Sequence, residues 1–593
     1  MKIYRSFLKT LAISVAIVTL TVLVHVSSAR RQKPNESASR EDAYRANNLG
    51  VALMEQFNYK KAAEAFRRAL EIDPKLNLAR INLSIALYNV PDLPGSQKEA
   101  QTAIAASSDA PQPFYIQGLI AKSQNRSDEA LAAFQRVTKF DPNDVGANIN
   151  MGQIYAQQRK YPEAIAAFNI ALAAEPYNGT ALYNLGTALM RSNKRDEGQR
   201  VITRFTELRQ RGSGTTLGQS YLEQGRYADA VASTGAEPEL VDKTTPAVSI
   251  VDAADSLPAL KGSSPEAITP ALGRRFKSGE WKESSKSELA AGLGGCTTLF
   301  DFDGDGNLDL FWATASGLRL YHNNNGKFVD VTDASGALNL KQTGIPIAAV
   351  AGDYDNDGKA DLFVVSDNGL ALYHNDGGGK FSNVTAAAGI PKYPYLASSV
   401  AFVDVDHDGD LDIFVAGLAD LSKAPKGGEA SFPSDFAGAP NLLLRNDGNG
   451  KFTDISATAK VNTEGHAVAV VPTDFNNRRD IDLLVVNYGK SPDLYSNQRD
   501  GTFRNVSADV GLNLDGNWTC VAVGDLNKDG YTDFFFGRVD GPGMFALSDG
   551  KERFKTVAAP TESTGARGVQ FVDYDTDGLL DCIALTDKGA LVL

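Results

Sequence analysis

A nine-residue acidic loop, repeated six times in the second half of the chain, constrains the fold more than any other feature. Its copies begin at Asp301, Asp353, Asp404, Asp474, Asp525 and Asp573, at spacings of 48 to 70 residues. The first copy places carboxylates at positions 1, 3, 5 and 9 and a glycine, Gly306, at position 6. This pattern supplies the oxygen ligands and the tight turn that a Ca²⁺ loop requires. One loop per repeat therefore predicts a repeating architecture.

Five copies keep the ligand pattern, and we predict one structural Ca²⁺ in each. Position 7 varies freely, as expected if only its backbone carbonyl binds. Acidic turns that bind no metal are the alternative. The predicted ligands are Asp301, Asp303, Asp305, Asn307 and Asp309; Asp353, Asp355, Asp357, Lys359 and Asp361; Asp404, Asp406, Asp408, Asp410 and Asp412; Asp525, Asn527, Asp529, Tyr531 and Asp533; and Asp573, Asp575, Asp577, Leu579 and Asp581.

The fourth copy departs from the pattern. Arg478 replaces the ligand at position 5, and Arg479 replaces the glycine at position 6. We predict that this loop binds no Ca²⁺ and that Arg478 provides an internal positive charge instead.

The residues around the loops distinguish a strand-rich repeat from an EF-hand. An EF-hand needs a bidentate Glu at position 12, on an emerging helix. Here position 12 is Trp312, Val364, Val415, Val485, Phe536 or Ala584. The flanking runs are mostly β-branched and aromatic, so each loop joins two strands. Four short strands in about 50 residues are typical of a propeller blade.

The number of blades follows from the ends of the repeat array. The last repeat stops after its third strand, and Trp281 takes the place that Phe328 holds before the fourth strand of the first repeat. An N-terminal strand next to Trp281 would therefore complete the last blade. We predict six blades, with seven as the alternative if residues 240–275 contain a degenerate blade.

These repeats resemble the FG-GAP/VCBS family, whose propellers include the head of integrin α subunits. The resemblance covers residues 276–593. Together with the helical repeats described next, it is similar to proteins that often carry a C-terminal ASPIC/UnbV domain. The resemblance implies that the cations brace the propeller and do not catalyse.

A second repeat, of 34 residues, fills the first half of the chain. Pro74, Pro142 and Pro176 are 68 and 34 residues apart, and small and aromatic residues recur before each of them. Good units span 43–76, 111–144, 145–178 and 179–212, a weaker unit (77–110) contains two internal prolines, and a partial unit contains Leu217-Gly218, Tyr221 and Ala230. Residues 41–235 resemble the tetratricopeptide repeat (TPR) family. The resemblance implies a solenoid with a concave face for a peptide or partner protein; a purely structural spacer is the alternative.

The amino terminus has the layout of an export signal. Lys2, Arg5 and Lys9 precede an apolar run at residues 11–26, and Ser27-Ser28-Ala29 offers a cleavage site. Residues 1–29 are thus predicted to be a signal peptide or a membrane anchor. Either interpretation places the rest outside the cytoplasm: in the periplasm, at the cell surface or secreted. The proline-rich residues 236–275 are predicted to be a linker that contains one strand, Val248-Ser249-Ile250-Val251.

A long insertion separates the third and fourth loops. It covers about 418–440 and contains Phe432 and Phe436. It falls between the second and third strands of its blade. An exposed loop with aromatic residues is a candidate binding element; a disordered insertion is the alternative.

Nothing in the sequence indicates catalysis. The net charge of −13 argues against nucleic acid as a partner. The paired carboxylates repeat with the blade period, whereas a catalytic pair is normally unique. Two of the five histidines, His322 and His374, recur at one repeat position and are interpreted as structural; His407 is predicted to face solvent, and His466 has no evident partner.

We therefore predict a multidomain α and β protein, a TPR α-solenoid followed by an all-β propeller. Its predicted function is that of an exported scaffold. The groove of the solenoid would recognise a protein or peptide, and the Ca²⁺-stabilised propeller a protein or glycan. The alternatives are a propeller enzyme, such as a polysaccharide hydrolase or lyase, and an export or assembly factor.

Overall fold

The computed structural model describes residues 36–210, 214–233, 270–277, 281–282, 285–314, 317–338, 344–425, 428–575 and 578–593. The chain divides into two compact units, residues 1–205 with 216–241 and residues 206–215 with 242–593. The predicted export segment lies outside the described residues, as do most of the predicted linker and its strand. None of the described helices has the length and apolar character needed to cross a membrane.

Ten helices form five consecutive hairpins within the described residues 36–210. They are α1 (Glu36–Glu55), α2 (Tyr59–Ile72), α3 (Asn77–Asn89), α4 (Leu93–Ala106), α5 (Gln112–Ser123), α6 (Ser127–Phe140), α7 (Val145–Gln157), α8 (Tyr161–Ala174), α9 (Gly179–Arg191) and α10 (Arg195–Gln210).

Close contact between the two helices of a hairpin explains the recurring spacing of glycine and phenylalanine. Gly50 on α1 lies against Phe66 on α2, and a Cβ added to Gly50 would stand 2.4 Å from the ring. The same pairing joins Gly118 to Phe134 and Gly152 to Phe168. Each of these rings is fully buried. The prediction that small residues let the helices approach is confirmed.

The unit at 77–110 is a complete hairpin despite its prolines. Pro91 lies in the turn, and Pro94 lies in the first turn of α4, where a backbone N–H is not needed. Asp92 caps that helix by accepting from Gly95 N. The prediction of a further partial unit is wrong for the described residues 214–233. They contain only a short 3-10 helix (Arg226–Ala228), and the rest of the segment has neither helix nor strand.

Strands of the second unit form six antiparallel blades. Blade 1 contains β2 (Cys296–Phe300), β3 (Asp309–Thr314), β4 (Gly317–Asn324) and β5 (Lys327–Asp330); blade 2 contains β6 (Pro346–Gly352), β7 (Asp361–Ser366), β8 (Gly369–Gly377) and β9 (Lys380–Asn383); blade 3 contains β10 (Leu396–Val403), β11 (Asp412–Ala419), β14 (Leu442–Asn446) and β15 (Phe452–Asp454). Blade 4 contains β17 (Ala467–Thr473), β18 (Asp482–Asn487), β19 (Asp493–Asn497) and β20 (Phe503–Asn505); blade 5 contains β21 (Trp518–Gly524), β22 (Asp533–Arg538), β23 (Met544–Ser548) and β24 (Phe554–Ala558); blade 6 contains β25 (Gly568–Val572), β26 (Asp581–Thr586) and β27 (Gly589–Val592).

The second strand of each blade forms much of the propeller core. Strands β7, β11 and β18 are buried along their whole length. Strands that are buried on both faces have nearly continuous apolar runs in their sequence. Each acidic loop joins the first strand of a blade to the second, as predicted, and position 9 of the loop is the first residue of the second strand.

The sixth blade has three strands among the described residues, and the predicted closing strand does not pair with it there. The short strand β1 (Arg275–Phe276) pairs instead with β12 (Ala430–Ser431). Trp281 packs edge-on against Phe436 at a ring distance of 5.0 Å. The prediction that Trp281 takes the aromatic place of the last blade is therefore wrong, because the ring finds apolar partners in the insertion. Helix α11 (Ser285–Gly292) follows Trp281.

The insertion at 418–440 is ordered packing rather than an exposed loop. Phe432 is 0 % exposed and Phe436 is 4 % exposed. The Phe432 backbone donates to Arg274 O and accepts from Gly273 N. Short strand β13 (Ala439–Pro440) pairs with β16 (Glu464–Gly465). The prediction of a binding element with exposed aromatics is wrong, because both rings lie in one apolar cluster with Ala271, Phe276 and Trp281.

Candidate functional site

The carboxylate at position 9 ties each acidic loop to the rest of its blade. One of its oxygens accepts from the backbone N–H of position 2, at 2.9–3.2 Å in loops 1, 2, 3, 5 and 6. In loops 1 to 5 the other oxygen accepts from a backbone N–H of the third strand, at 2.7–2.8 Å. This residue is 0 % exposed in loops 1 to 5. Position 9 is thus a structural anchor as well as a predicted ligand.

The carboxylate at position 1 closes the turn of the loop. In all six copies it accepts from the backbone N–H of position 6, at 2.8–3.1 Å. Position 6 has positive φ in every copy, between 63° at Arg479 and 91° at Gly409. Glycine adopts this conformation without a steric penalty, which explains its place in the five intact loops.

The loops bring the predicted ligands together. In each of the first three loops, oxygens of the carboxylates at positions 1, 3 and 9 lie within 4.8 Å of one another. Carboxylates at position 5 accept from the backbone N–H of position 7 in loops 1, 2, 3 and 5. Three converging carboxylates form an oxygen-rich site that fits a hard divalent cation.

The fifth and sixth loops share part of this geometry. Asp525 accepts from both Asp529 N and Gly530 N, so its loop is folded like the first three. In the sixth, Asp573 Oδ1 is buried and has no hydrogen-bond partner among the described residues, which also fits a cation ligand. Asp577 of the sixth loop lies outside the described residues.

Two histidines join the first two carboxylate clusters. His322 Nδ1 lies 3.2 Å from Asp303 Oδ2, and His374 Nδ1 lies 3.3 Å from Asp355 Oδ2. Sequence reasoning interpreted these rings only as structural. Their constant offset of 13 residues from position 9 is the signal that links them to the loops.

Burial changes the protonation of the anchoring carboxylates. It raises the pKa of Asp361 to about 6 and that of Asp412 to about 7, although backbone N–H donors partly oppose the shift. Burial also raises the pKa of Asp309 and Asp533. The charged form is disfavoured because the site has low polarity and nearby carboxylates repel it. A bound divalent cation would remove this penalty.

Two arginines bring positive charge to the fourth loop. The Arg478 guanidinium contacts Glu552, with Nε 3.1 Å from Oε1. Its charge also acts to lower the pKa of the Asp482 carboxyl at position 9, against the stronger opposite effect of burial. Arg499, from the turn after β19, pairs with the buried Asp480 carboxylate and donates to Arg479 O at 3.2 Å. Arg478 thus provides an internal positive charge, as predicted, and Arg499 adds a second cation that the sequence did not indicate.

Asparagines on the third strands link neighbouring blades, a role that the sequence reasoning missed. Asn375 Nδ2 donates to Phe302 O at 2.9 Å, and Asn446 Nδ2 donates to Tyr354 O at 2.7 Å. Asn497 repeats the contact with Val405 O at 2.8 Å. Each acceptor is position 2 of the preceding loop. The Asn that recurs at or near the end of the third strand in blades 2, 3 and 4 is the sequence signal for this link.

The remaining histidines are held by the blades. His407 Nε2 lies 3.5 Å from Asp480 Oδ1, and this carboxylate raises the pKa of the imidazole. His466 Nδ1 contacts Leu418 O at 2.8 Å, so the residue without an evident partner has one. Neither ring belongs to a cluster that repeats the carboxylate geometry.

The solenoid contains a second candidate site, on the first helices of its hairpins. Asn48, Asn82, Asn150 and Asn184 occupy the same repeat position, at spacings of 34, 68 and 34 residues. We define the groove as the surface formed by Asn47, Asn48, Asn82, Asn89 and Tyr115. Repeat solenoids use such extended surfaces to bind partners.

Comparisons with known families define the class of protein. The tetratricopeptide repeat family matches residues 43–76, 111–144 and 149–204. The FG-GAP-like repeat family matches residues 301–364, 353–415, 474–536 and 525–584. The protein is a TPR solenoid joined to a six-bladed FG-GAP propeller, and repeat domains of these kinds support a protein-interaction scaffold.

The curated relatives match about half of the chain. Cartilage acidic protein 1 of Mus musculus is 29% identical over 329 residues, which cover 50% of this chain and 48% of the relative. The Homo sapiens protein is 28% identical, with 50% and 47% covered. The alignment thus spans about half the length of these relatives.

Solved structures match a little more than a quarter of the chain. They include MamA, at 17% identity and a TM-score of 0.26, covering 28% of this chain and 96% of that one. They also include YrrB, described as a TPR protein with an unusual peptide-binding site, at 20% identity and a TM-score of 0.26, covering 29% and 88%.

Proposed function

We propose that this protein is an exported, non-enzymatic scaffold. Its solenoid groove binds an extended segment of a partner protein, and structural Ca²⁺ in the intact loops braces the propeller. A protein or glycan surface is the expected partner of the propeller. The layout of residues 1–29 supports the export proposal.

One observation carries the scaffold proposal: asparagines of the groove hydrogen-bond to the backbone of an extended chain segment. Asn82 Nδ2 donates to Val231 O at 2.7 Å, and Asn48 Nδ2 donates to Ser233 O at 2.9 Å. A surface that holds one extended chain through its main chain is built to hold others, because every peptide offers the same groups.

The calcium proposal is supported by the grouping of carboxylates in loops 1 to 3. Uncompensated carboxylates this close repel one another, and an ion with six to eight oxygen ligands offsets that repulsion. The metal would stabilise the fold and take no part in a reaction. The carboxylates of the intact loops repeat with the blade, which favours a structural role.

Site-specific photo-crosslinking tests the scaffold proposal. Tyr183 is 52 % exposed on α9, at the repeat position that Tyr115 holds on α5, so a photo-reactive residue there reports on partners at the solenoid. The same residue at Val557, which is 42 % exposed on β24, is the propeller control. We expect a reproducible protein adduct from position 183 that an excess of the same protein without the photo-reactive residue reduces several-fold. Specific glycan turnover by the purified chain would contradict the proposal.

A further inference from the structure

The described residues 217–233 cover the solenoid groove of their own chain. At one end, Leu217 N donates to Thr180 Oγ1 on α9 at 2.9 Å. At the other end, Ser233 N donates to Asn48 Oδ1 on α1 at 2.8 Å. The segment therefore contacts helices from the last hairpin to the first. We call it the groove segment.

Two asparagines each make two hydrogen bonds to the main chain of the groove segment, one to an N–H group and one to a C=O group. Asn82 accepts from Val231 N at 2.8 Å and donates to Val231 O at 2.7 Å. Asn48 repeats this pair of bonds with Ser233, at 2.8 and 2.9 Å. The two asparagines are one repeat apart, and their partners are two residues apart. These contacts involve no side chain of the segment, so any extended peptide can make them.

The middle of the segment is fitted more specifically. Tyr115 OH donates to Gln224 O at 2.6 Å, and Gln224 Nε2 donates to Asn89 Oδ1 at 3.2 Å. Gly225 has φ of 106°, and a Cβ there would stand 2.3 Å from Tyr115 OH. Any larger residue at Gly225 is both strained and obstructed.

Small and aromatic side chains bury the segment against the groove. Ala228 is 0 % exposed and Tyr221 is 1 % exposed. The Tyr221 ring meets that of Tyr59 edge-on at 6.0 Å. Tyr227 OH donates to Asp141 Oδ2 at 3.1 Å. An occupant of this groove thus combines an extended backbone with a glycine, a small buried residue and a tyrosine beside a carboxylate.

We propose that the groove segment is a resident occupant of the peptide-binding groove, and that partners bind by displacing it. The inference rests on the proposed scaffold function and names its ligand class: an extended protein segment in which a glycine precedes a tyrosine and small residues. Displacement is needed because the side-chain amide of Asn48 is already hydrogen-bonded to Ser233 and that of Asn82 to Val231.

The groove segment competes strongly with an added peptide because it is tethered to the same chain as the groove. A segment on the same chain acts at an effective concentration in the millimolar range. If it fills the groove in 90–99% of molecules, a competing peptide loses about 10- to 100-fold in apparent affinity. Loosening the segment should therefore increase the affinity for a peptide added in trans.

A binding assay with the full chain tests the proposal. The probe is a fluorescent synthetic peptide of residues 217–233, and its Kd is measured by polarisation. Gly225→Val loosens the segment without changing a groove residue. Its control is Gly218→Ala, whose Cβ would meet only the flexible Glu223 side chain. We expect Gly225→Val to bind the peptide at least about 10-fold more tightly than the wild type and Gly218→Ala.

A second substitution locates the binding. Adding Asn82→Ala to Gly225→Val should weaken the binding of the peptide at least about 10-fold, because two hydrogen bonds to its main chain are lost. Adding Asn184→Ala should change little, since Asn184 Nδ2 donates to Thr180 O of its own helix. If the peptide binds the wild type and Gly225→Val with equal affinity, the proposal that partners displace the groove segment is overturned. If adding Asn82→Ala leaves the peptide's affinity unchanged, the peptide does not bind at the groove and the proposed site is overturned.

Hydrogen exchange keeps the inference testable if Gly225→Val fails to fold. In the wild type we expect slow exchange at the Val231 and Ser233 amides, faster exchange at Val231 in Asn82→Ala, and no change there in Asn184→Ala. Fast exchange at both amides of the wild type would show that the groove segment does not occupy the groove of its own chain, and would overturn the proposal. These readouts need no natural partner, so they are independent of the crosslinking result for the scaffold function.

Discussion

At the residue scale, the fourth loop differs from the others because arginine side chains bring positive charge to it. Asp480 is 2 % exposed in a loop whose fifth position has lost its carboxylate. Arg499 brings its guanidinium to the carbonyl and carboxylate oxygens there. A buried carboxylate needs a partner charge, and arginine, with five donors in a planar fork, can contact several oxygens at once.

Replacing Arg499 should therefore destabilise the propeller. We expect Arg499→Met to lower the free energy of unfolding by roughly 2 kcal/mol, because it leaves the buried Asp480 without this cation. The matched control is Arg504→Met, since Arg504 pairs with Asp509 while both side chains are more than 60% exposed. Urea denaturation in excess Ca²⁺ measures both. A loss for Arg499→Met no larger than for the control would contradict the role of this arginine.

At the scale of elements, the acidic loop connects two strands of its own blade and also binds the neighbouring blade. Its last carboxylate anchors it to the third strand of its own blade. Its second residue accepts from the third-strand asparagine of the next blade. Blades 2, 3 and 4 thus each fix the loop of the preceding blade, in addition to the packing between their strands.

Removing one inter-blade asparagine tests this connection. Asn446→Ala leaves Tyr354 O without its donor in a buried position, and we expect a loss of about 2 kcal/mol in the free energy of unfolding. The control is Asn505→Ala, because Asn505 is exposed and donates only to Asp493 of its own blade. Chemical denaturation followed by tryptophan fluorescence provides the comparison. Similar losses in the two variants would show that the inter-blade bond contributes little.

At the scale of the whole molecule, the two repeat arrays differ in what holds them together. The solenoid relies on rings such as Phe66 and Phe134 packed against glycines of the preceding helix. The propeller adds five loops with a buried carboxylate at position 9 to its apolar core. Stability of the propeller should therefore depend on pH and divalent metal, whereas the solenoid should respond much less.

Thermal unfolding in chelator and in Ca²⁺ tests this difference. Asp361 and Asp412 have folded pKa values of about 6 and about 7, above the ordinary 3.8, so the folded protein binds more protons between pH 4 and 7. Without metal, propeller stability should fall as pH rises through that window. At pH 7.5, Ca²⁺ at 100 times its Kd should contribute about 2.7 kcal/mol per site. A Tm unchanged by chelator would contradict the calcium proposal.

Much of the architecture could be predicted from repetition alone. A 34-residue period with Gly50 and Phe66 at fixed offsets predicts helical hairpins, and the Asp301 loop before an apolar run predicts a strand–loop–strand unit. The positive φ at position 6 and the strand that begins at position 9 followed as well, because turn geometry is local. Predictions that needed a distant partner were less successful: Trp281 and the aromatic rings of the insertion each pack elsewhere.

The sequence by itself determined the two repeat units, their order and the residues of the acidic loops, since each depends on contacts within one period. Only the tertiary structure decided how residues far apart in the chain meet. It showed that Arg499 fills the fourth loop, that Phe432 is buried against residues 270–281 and that residues 217–233 occupy the groove. These contacts join segments without a shared repeat register, and no local pattern specifies which partner lowers the free energy most.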